Sequence, residues 1–454
     1  MRKIISPGNA CAALALLCAA CAPAKTPVAS GDLHKIRHII VMDLENHSFD
    51  NLFGSFPGAD GIANAGASAL QTDENGKPYA ELPRVMNTED KPVVADGRFP
   101  AHLPNKPFPI ENYIPINKET PDLVHRFYQE IAQIDGGRMD RFAAISDAGG
   151  LVMGYYDGGK TGLWSYAQKY TLADHFFHGA FGGSFLNHFW MVCACAPRFE
   201  HAPKEAVITL DARGRVINDG TVTQDGYAVN TLYPAFTPHP AKAAASKTLP
   251  PQSMATIGDR LSEKGIGWAW YAGGWDDAVK GKPAPSFQFH HQPFAYFTQF
   301  ADGTAARKEH LKDENDFVSA LKSGDLPPVA FYKPLGEFNL HPGYADVASG
   351  DAHITALLRD IEASTVWKDT VVIVTFDENG GFWDHVAPPH VDEFGPGVRV
   401  PTLIISPFAK KSYIDHTVYD TTSILKLIEE RFGLAPLGAR EAAVNDLTNT
   451  LDLK

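Results

Sequence analysis

A chain of 454 residues, 44% hydrophobic and 20% charged, has the apolar mass for a large α/β domain and no internal repeat. Its formal net charge of −13 excludes general nucleic-acid binding, because phosphate polyanions are repelled at long range. A small phosphorylated ligand stays compatible, since a bound cation reverses the local field.

Met1-Arg2-Lys3 is a positive start, and Ala12 to Ala20 is an apolar run too short to span a bilayer. With Ala22-Pro23-Ala24 as a small-residue cleavage site, residues 1–24 read as a signal peptide. Cys18-Ala19-Ala20-Cys21 resembles a bacterial lipoprotein box, with Cys21 as the residue that would carry lipid. The expectation is an exported protein, periplasmic or secreted, with a lipid anchor at Cys21 as a variant of that route. Cys193 and Cys195 remain beyond this segment. Two residues apart in one strand they would share a face without a comfortable bridge, so core packing is expected, with a metal or redox role second.

The first strand, His38 to Leu44, runs into Glu45-Asn46, and Ser48 caps a short helix that Gly54 stops. Residues 55–120 are rich in Pro, Asn, Asp and Gly and read as an elaborated surface connection at the rim of a site. Leu123 to Ala132 and Trp164 to Lys169 have helical character. An insertion near residues 200–245 contains a hairpin, Ala206 to Leu210 against Arg215 to Ile217. Strands follow at Gly267 to Tyr271, Val329 to Tyr332, Thr370 to Phe376 and Thr402 to Ser406, with helices at Asp351 to Ala363 and Thr422 to Arg431. One α/β domain over 32–440, with a mostly parallel sheet flanked by helices, fits this order.

Two strands carry the chemistry. His38 to Leu44 and Thr370 to Phe376 are β-branched, scarcely alternating runs, the mark of buried parallel strands, and each ends in an acidic cluster. Ligands collect at the carboxyl ends of such strands, so Glu45-Asn46 and Asp377-Glu378-Asn379-Gly380-Gly381 can meet around one cation. Turn or helix-cap clusters are the plainer alternative. Gly182-Gly183-Ser184 forms a tight turn that presents a hydroxyl at a helix N-terminus, where anions bind; a simple cap is again the alternative. Gly-x-Ser-x-Gly is absent, as are His-Glu-x-x-His and Cys-x-x-Cys. His125, His290, His291, His341 and His385 are the natural donors to a phosphoryl group.

Glu45 to Gly54 (ENHSFDNLFG) resembles the opening motif of the bacterial phosphoesterase family, which joins phosphatidylcholine-type phospholipases C to AcpA-like acid phosphatases. Gly137-Arg138-Met139-Asp140-Arg141-Phe142, Val152 to Asp157, Leu172 to His178, Phe376 to Pro389 and Val398 to Pro407 continue the likeness in order. The resemblance implies a core like that of the alkaline phosphatase superfamily. It implies one divalent metal ion, with calcium, magnesium or manganese suited to hard oxygen ligands, held by Glu45, Asn46, Asp377 and Glu378. Ser184 would be the nucleophile and Asn187 would bind a phosphoryl oxygen. His125, His291 and His341 would line the phosphate pocket, His341 or a neighbour as proton donor, with His290 and His385 as further contacts. Position 47 is His where Arg is usual, position 51 is Asn where His is frequent, and His188 replaces a common Arg.

The serine and the short stretch after Arg440 resemble the acid phosphatase branch, so cleavage of phosphate monoesters is the leading expectation. A phospholipase C acting on phosphodiesters such as phosphatidylcholine is the alternative. A protein that binds a phosphate ligand without turnover is a third reading. The partners implied are phosphorylated small molecules or phospholipid head groups, with no nucleic acid.

Overall fold

The computed structural model describes residues 30–454, so the expected signal peptide and the expected lipid anchor at Cys21 lie outside the described residues. Its central sheet contains β1 (His38–Leu44), β2 (Thr171–Ala173), β3 (Trp268–Ala272), β4 (Leu311–Asp313), β5 (Val329–Lys333), β6 (Thr370–Phe376), β7 (Thr402–Ile405) and β8 (Tyr413–Asp415). These eight strands lie in the order β4-β3-β5-β1-β6-β7-β2-β8. The β5, β1 and β6 trio is parallel and in register, with Met42 level with both Tyr332 and Val374. Only β7 among the eight runs against its neighbours. The protein is therefore of the α/β class with a mostly parallel sheet.

Consecutive residues of β1 and β6 are buried, which requires both faces of the sheet to be covered. That explains why neither strand alternates polar with apolar residues. Each buried Val, Ile or Leu here contributes about 1.5–3 kcal/mol relative to an exposed one. The centre of the sheet is thus the rigid support for whatever its strand ends carry.

Four expectations change in detail. Helix α1 (Phe127–Ile134) starts four residues later than the sequence predicts, because Arg126 is extended. A Cβ at Gly182 would lie 2.6 Å from the Phe127 nitrogen, so the glycine turn packs directly on this segment and leaves His125 outside the helix. The helix predicted from Asp351 begins earlier, as α3 (Val347–Ala363), with Asp346 accepting from the Ser349 N–H as its cap. The hairpin pairs Thr209–Leu210 with Val216–Asn218.

The fourth concerns cysteine. Cys193 and Cys195 form a disulfide, contrary to the packing expectation. That expectation assumed a strand, whereas Cys193 ends the helix α2 (Ser184–Cys193) and Ala194 turns left-handed at φ +48°. The turn brings the two Cα atoms to 5.2 Å, within disulfide reach.

Candidate active site

Three adjacent strand ends deliver six polar side chains to one place: Asp43, Glu45 and Asn46 from β1, Lys333 from β5, and Asp377 and Glu378 from β6. All are buried. Asp377 continues the ladder by donating its N–H to the Leu44 carbonyl at 3.0 Å. The chain then turns at Gly380, φ +62°, where a Cβ would lie 2.4 Å from the Asn46 carbonyl oxygen. A side chain there would push the two acidic clusters apart.

Asn46 is held at φ +60°, a left-handed conformation that Asn tolerates better than most residues. His125 Nδ1 donates to the Leu123 carbonyl at 2.5 Å, leaving Nε2 to accept from Asn46 Nδ2 at 3.4 Å. That pairing fixes the amide orientation and leaves Asn46 Oδ1 buried without a hydrogen-bond partner. Glu378 Oε1 likewise accepts no hydrogen bond, with His125 Nε2 3.7 Å away, and such buried oxygens are rare. Burial, reinforced by neighbouring negative charge, pushes the Asp377 and Glu378 carboxyls well above the usual range. Glu45 is held well below it: burial opposes ionisation, but Lys333 and His291 outweigh it. The cluster carries more acid than its own bases balance. A hard divalent cation fits this oxygen set and would relieve that imbalance.

Ser184 opens α2, and Gly183 takes the cap position with no side-chain cap bond. The serine is therefore not merely a helix cap. Its Oγ donates to Glu45 Oε2 at 3.1 Å. Asn187, expected on a phosphoryl oxygen, is occupied otherwise. Its Nδ2 donates to the carbonyls of Ala180, Gly182 and Gly183, and its Oδ1 accepts from the Ala180 N–H. The reason is the glycine turn itself, whose backbone groups need partners; Asn187 and Glu130, which accepts from the Gly182 N–H, supply them.

The histidines separate into different roles. His125, His290 and His341 line a cavity of about 260 Å³ together with Ser184, Arg126 and Tyr344. His341 stacks on Tyr344, ring centroids 4.3 Å apart, and its Nδ1 donates to the Pro342 carbonyl. His291 is set behind the cavity, its Nε2 2.8 Å from Glu45 Oε1. It is therefore a support for Glu45 rather than a wall of the pocket. Burial pushes its imidazole down to about 4, against the pull of Glu45.

His385 is not brought to this place. Its Nδ1 is 2.7 Å from Asp50 Oδ2, within a buried network in which Arg399 Nε donates to Asp384 Oδ1 at 2.8 Å and Nη2 to Asp50 Oδ1 at 3.3 Å. The Asp384-His385 pair follows the Gly380-Gly381 turn closely in sequence, but His385 pairs with Asp50. The departures at positions 47 and 51 prove to be partners: His47 Nδ1 is 2.6 Å from Asn51 Oδ1, and Nε2 is 3.0 Å from the Leu340 carbonyl. Together they hold the left-handed Leu340, φ +76°, directly before His341.

Sequence reasoning gave Asp43 and Lys333 no role and read His188 only as a departure from the family pattern. His188 Nε2 is 3.1 Å from Asp43 Oδ2 and 4.0 Å from Asp377 Oδ2. A lysine ending an apolar strand, Val329-Ala330-Phe331-Tyr332-Lys333, was the available signal.

The sequence pattern of the Phosphoesterase family matches residues 36–435. Phospholipase C B of Mycobacterium tuberculosis is 24% identical over 472 aligned residues, covering 93% of this chain and 78% of that protein. The non-hemolytic phospholipase C of Pseudomonas aeruginosa is 23% identical over 464, covering 93% of this chain but 58% of its own length. Among solved structures, a protein of the alkaline phosphatase superfamily from Vibrio parahaemolyticus is similar at a TM-score of 0.33 and 13% identity, over 74% of this chain and 73% of that one. The phosphonate monoester hydrolase of Agrobacterium radiobacter has a TM-score of 0.33 and 11% identity, over 64% and 71%. With a family pattern that spans nearly the whole described chain, this protein belongs to the Phosphoesterase family and is a phosphoric ester hydrolase.

Proposed function

We propose that residues 32–440 form one exported catalytic domain that hydrolyses phosphate monoesters with Ser184 as nucleophile. The contact between Ser184 Oγ and Glu45 Oε2 at 3.1 Å carries the reading, because it puts a helix-opening hydroxyl against the acidic cluster. A divalent cation held by Glu45, Asn46, Asp377 and Glu378 would lower the hydroxyl pKa and offset charge on the phosphoryl oxygens. Ser184 Oγ, its proton released to water, bonds to phosphorus as the ester P–O bond breaks, at a helix N-terminus whose N–H groups favour the anion. His341 protonates the leaving alkoxide through Nε2, its Nδ1 being engaged with Pro342. Water then hydrolyses the phosphoserine and frees Ser184. Asn187 and Glu130 act on the turn, and His291 acts on Glu45.

Monoester preference is supported by the cavity wall, where Phe185 and Val229 are the main apolar members among histidines, Arg126, Asp122, Asn230, Thr231 and Gln288. Such a wall suits a dianionic phosphate and a polar alcohol better than an acyl chain. The names of the bacterial relatives favour a second reading, a phospholipase C acting on diesters. Assays on p-nitrophenyl phosphate and p-nitrophenyl phosphorylcholine, with and without EDTA, separate the two. Chelator-sensitive preference for the monoester is expected; preference for the choline ester would establish the second reading. Phosphate binding with neither ester cleaved, even with added metal, would make the protein a binder.

A further inference from the structure

Lys333 is a fully buried ammonium at the end of β5, and the role proposed above gives it nothing to do. Its Nζ is 2.7 Å from Glu45 Oε1, 3.2 Å from Asp43 Oδ2 and 3.4 Å from Asp377 Oδ2. The Leu44 carbonyl is a further neighbour at 3.4 Å. Four oxygens from two strands thus surround one charged atom, as ligands would surround a metal ion. The two sides of Glu45 are divided: Oε1 faces Lys333, while Oε2 faces Ser184. Asn46 Oδ1 and Glu378 Oε1, two of the cluster's oxygens without a hydrogen bond, are not among the oxygens around Lys333.

We propose that Lys333 is a resident monocation that fills the position of a second metal ion, so that the acidic cluster takes one divalent cation, on its Ser184 side. Asp43, Glu45, Asp377 and Glu378 are four carboxylates within one buried cluster, and a single divalent ion leaves half of that charge uncompensated. Buried like charges repel strongly, so a second cation, whether metal or side chain, lowers the cost of the cluster. The lysine does so without dissociating, and it fixes which oxygen of Glu45 is left to Ser184. His188, 3.1 Å from Asp43 Oδ2, closes the far side of the same position. Lys333 is thereby a positioning residue. The inference rests on the reading of the cluster as a metal site.

The test is manganese stoichiometry and affinity, by elemental analysis after dialysis and by titration calorimetry on the full chain. The wild-type protein is expected to bind one ion. Lys333→Ala, purified in manganese to offset the lost charge, is expected to bind two, and Lys333→Arg one. Lys333→Met fills the space without charge and is expected to bind one ion at least about tenfold more tightly, because a nearby repelling charge is gone. Two ions in the wild type overturn the proposal. So do one ion in Lys333→Ala, or unchanged or weaker affinity in Lys333→Met. A wild-type protein that binds no manganese would instead sink the metal-site reading itself.

Discussion

Ser184 Oγ donates to Glu45 Oε2 at 3.1 Å, although 139 positions separate the two in sequence. The contact links the start of α2 to the end of β1, joining a helix terminus to the acidic cluster. Ser184→Ala is expected to lower kcat by at least about a thousandfold, as loss of a covalent nucleophile does. Its manganese affinity should stay within several-fold, since the acidic oxygens persist. Turnover assays paired with metal titration check both halves.

Glu378 Oε1 is buried without a hydrogen bond, while its Oε2 accepts from the Gly380 N–H of the turn. Glu378→Gln keeps the shape and removes a charge. Metal affinity should fall at least about tenfold, with activity restored by excess metal. Calorimetric titration of the variant against the wild type reads the difference.

Arg399 is a structural cation, fully buried between Asp50 and Asp384. Arg399→Ala removes the cation shared by both carboxylates and should cost about 3–5 kcal/mol of stability. His385→Ala, one contact further out, should lower the melting temperature while kcat stays within about threefold. A large loss of kcat in folded His385→Ala would return that histidine to the substrate pocket.

Away from the site, Glu429 is buried, with Glu441 as its partner. Burial first, and Glu441 second, push the Glu429 carboxyl up to about 9. Glu441 Oε2 accepts the N–H groups of Leu437 and Gly438, so Glu429 holds the proton. The folded protein then keeps a proton that the unfolded chain loses near 4.5, the ordinary value. Stability contributed by this pair is complete below that pH and is lost as pH rises through about 9. Glu429→Gln should flatten the fall in melting temperature between about pH 5 and about pH 8. Thermal denaturation across that range measures it.

The two strands that matter most were legible because their burial on both faces leaves unbroken β-branched runs, and both match to the residue. Glu45, Asn46, Asp377 and Glu378 were legible for the same reason, as polar breaks at strand ends. Lys333 was not, since a single lysine after Tyr332 looks like an ordinary solvent-facing strand end until β5 is known to lie beside β1. The partners of Asn187 and His385 were not legible, because motif position does not tell which way a side chain points. In the fold, one is drawn to the backbone of a glycine turn and the other to Asp50. The Cys193–Cys195 bridge depended on a left-handed Ala194 at a helix end, which no spacing rule reveals.

The central claim is that Ser184 takes the phosphoryl group before water does. The most direct measurement is the stereochemistry at phosphorus, using an isotopically chiral phosphate monoester and an acceptor alcohol. Two successive in-line displacements give net retention of configuration, the result expected here. Net inversion would mean a single direct displacement, and Ser184 could not then be the nucleophile.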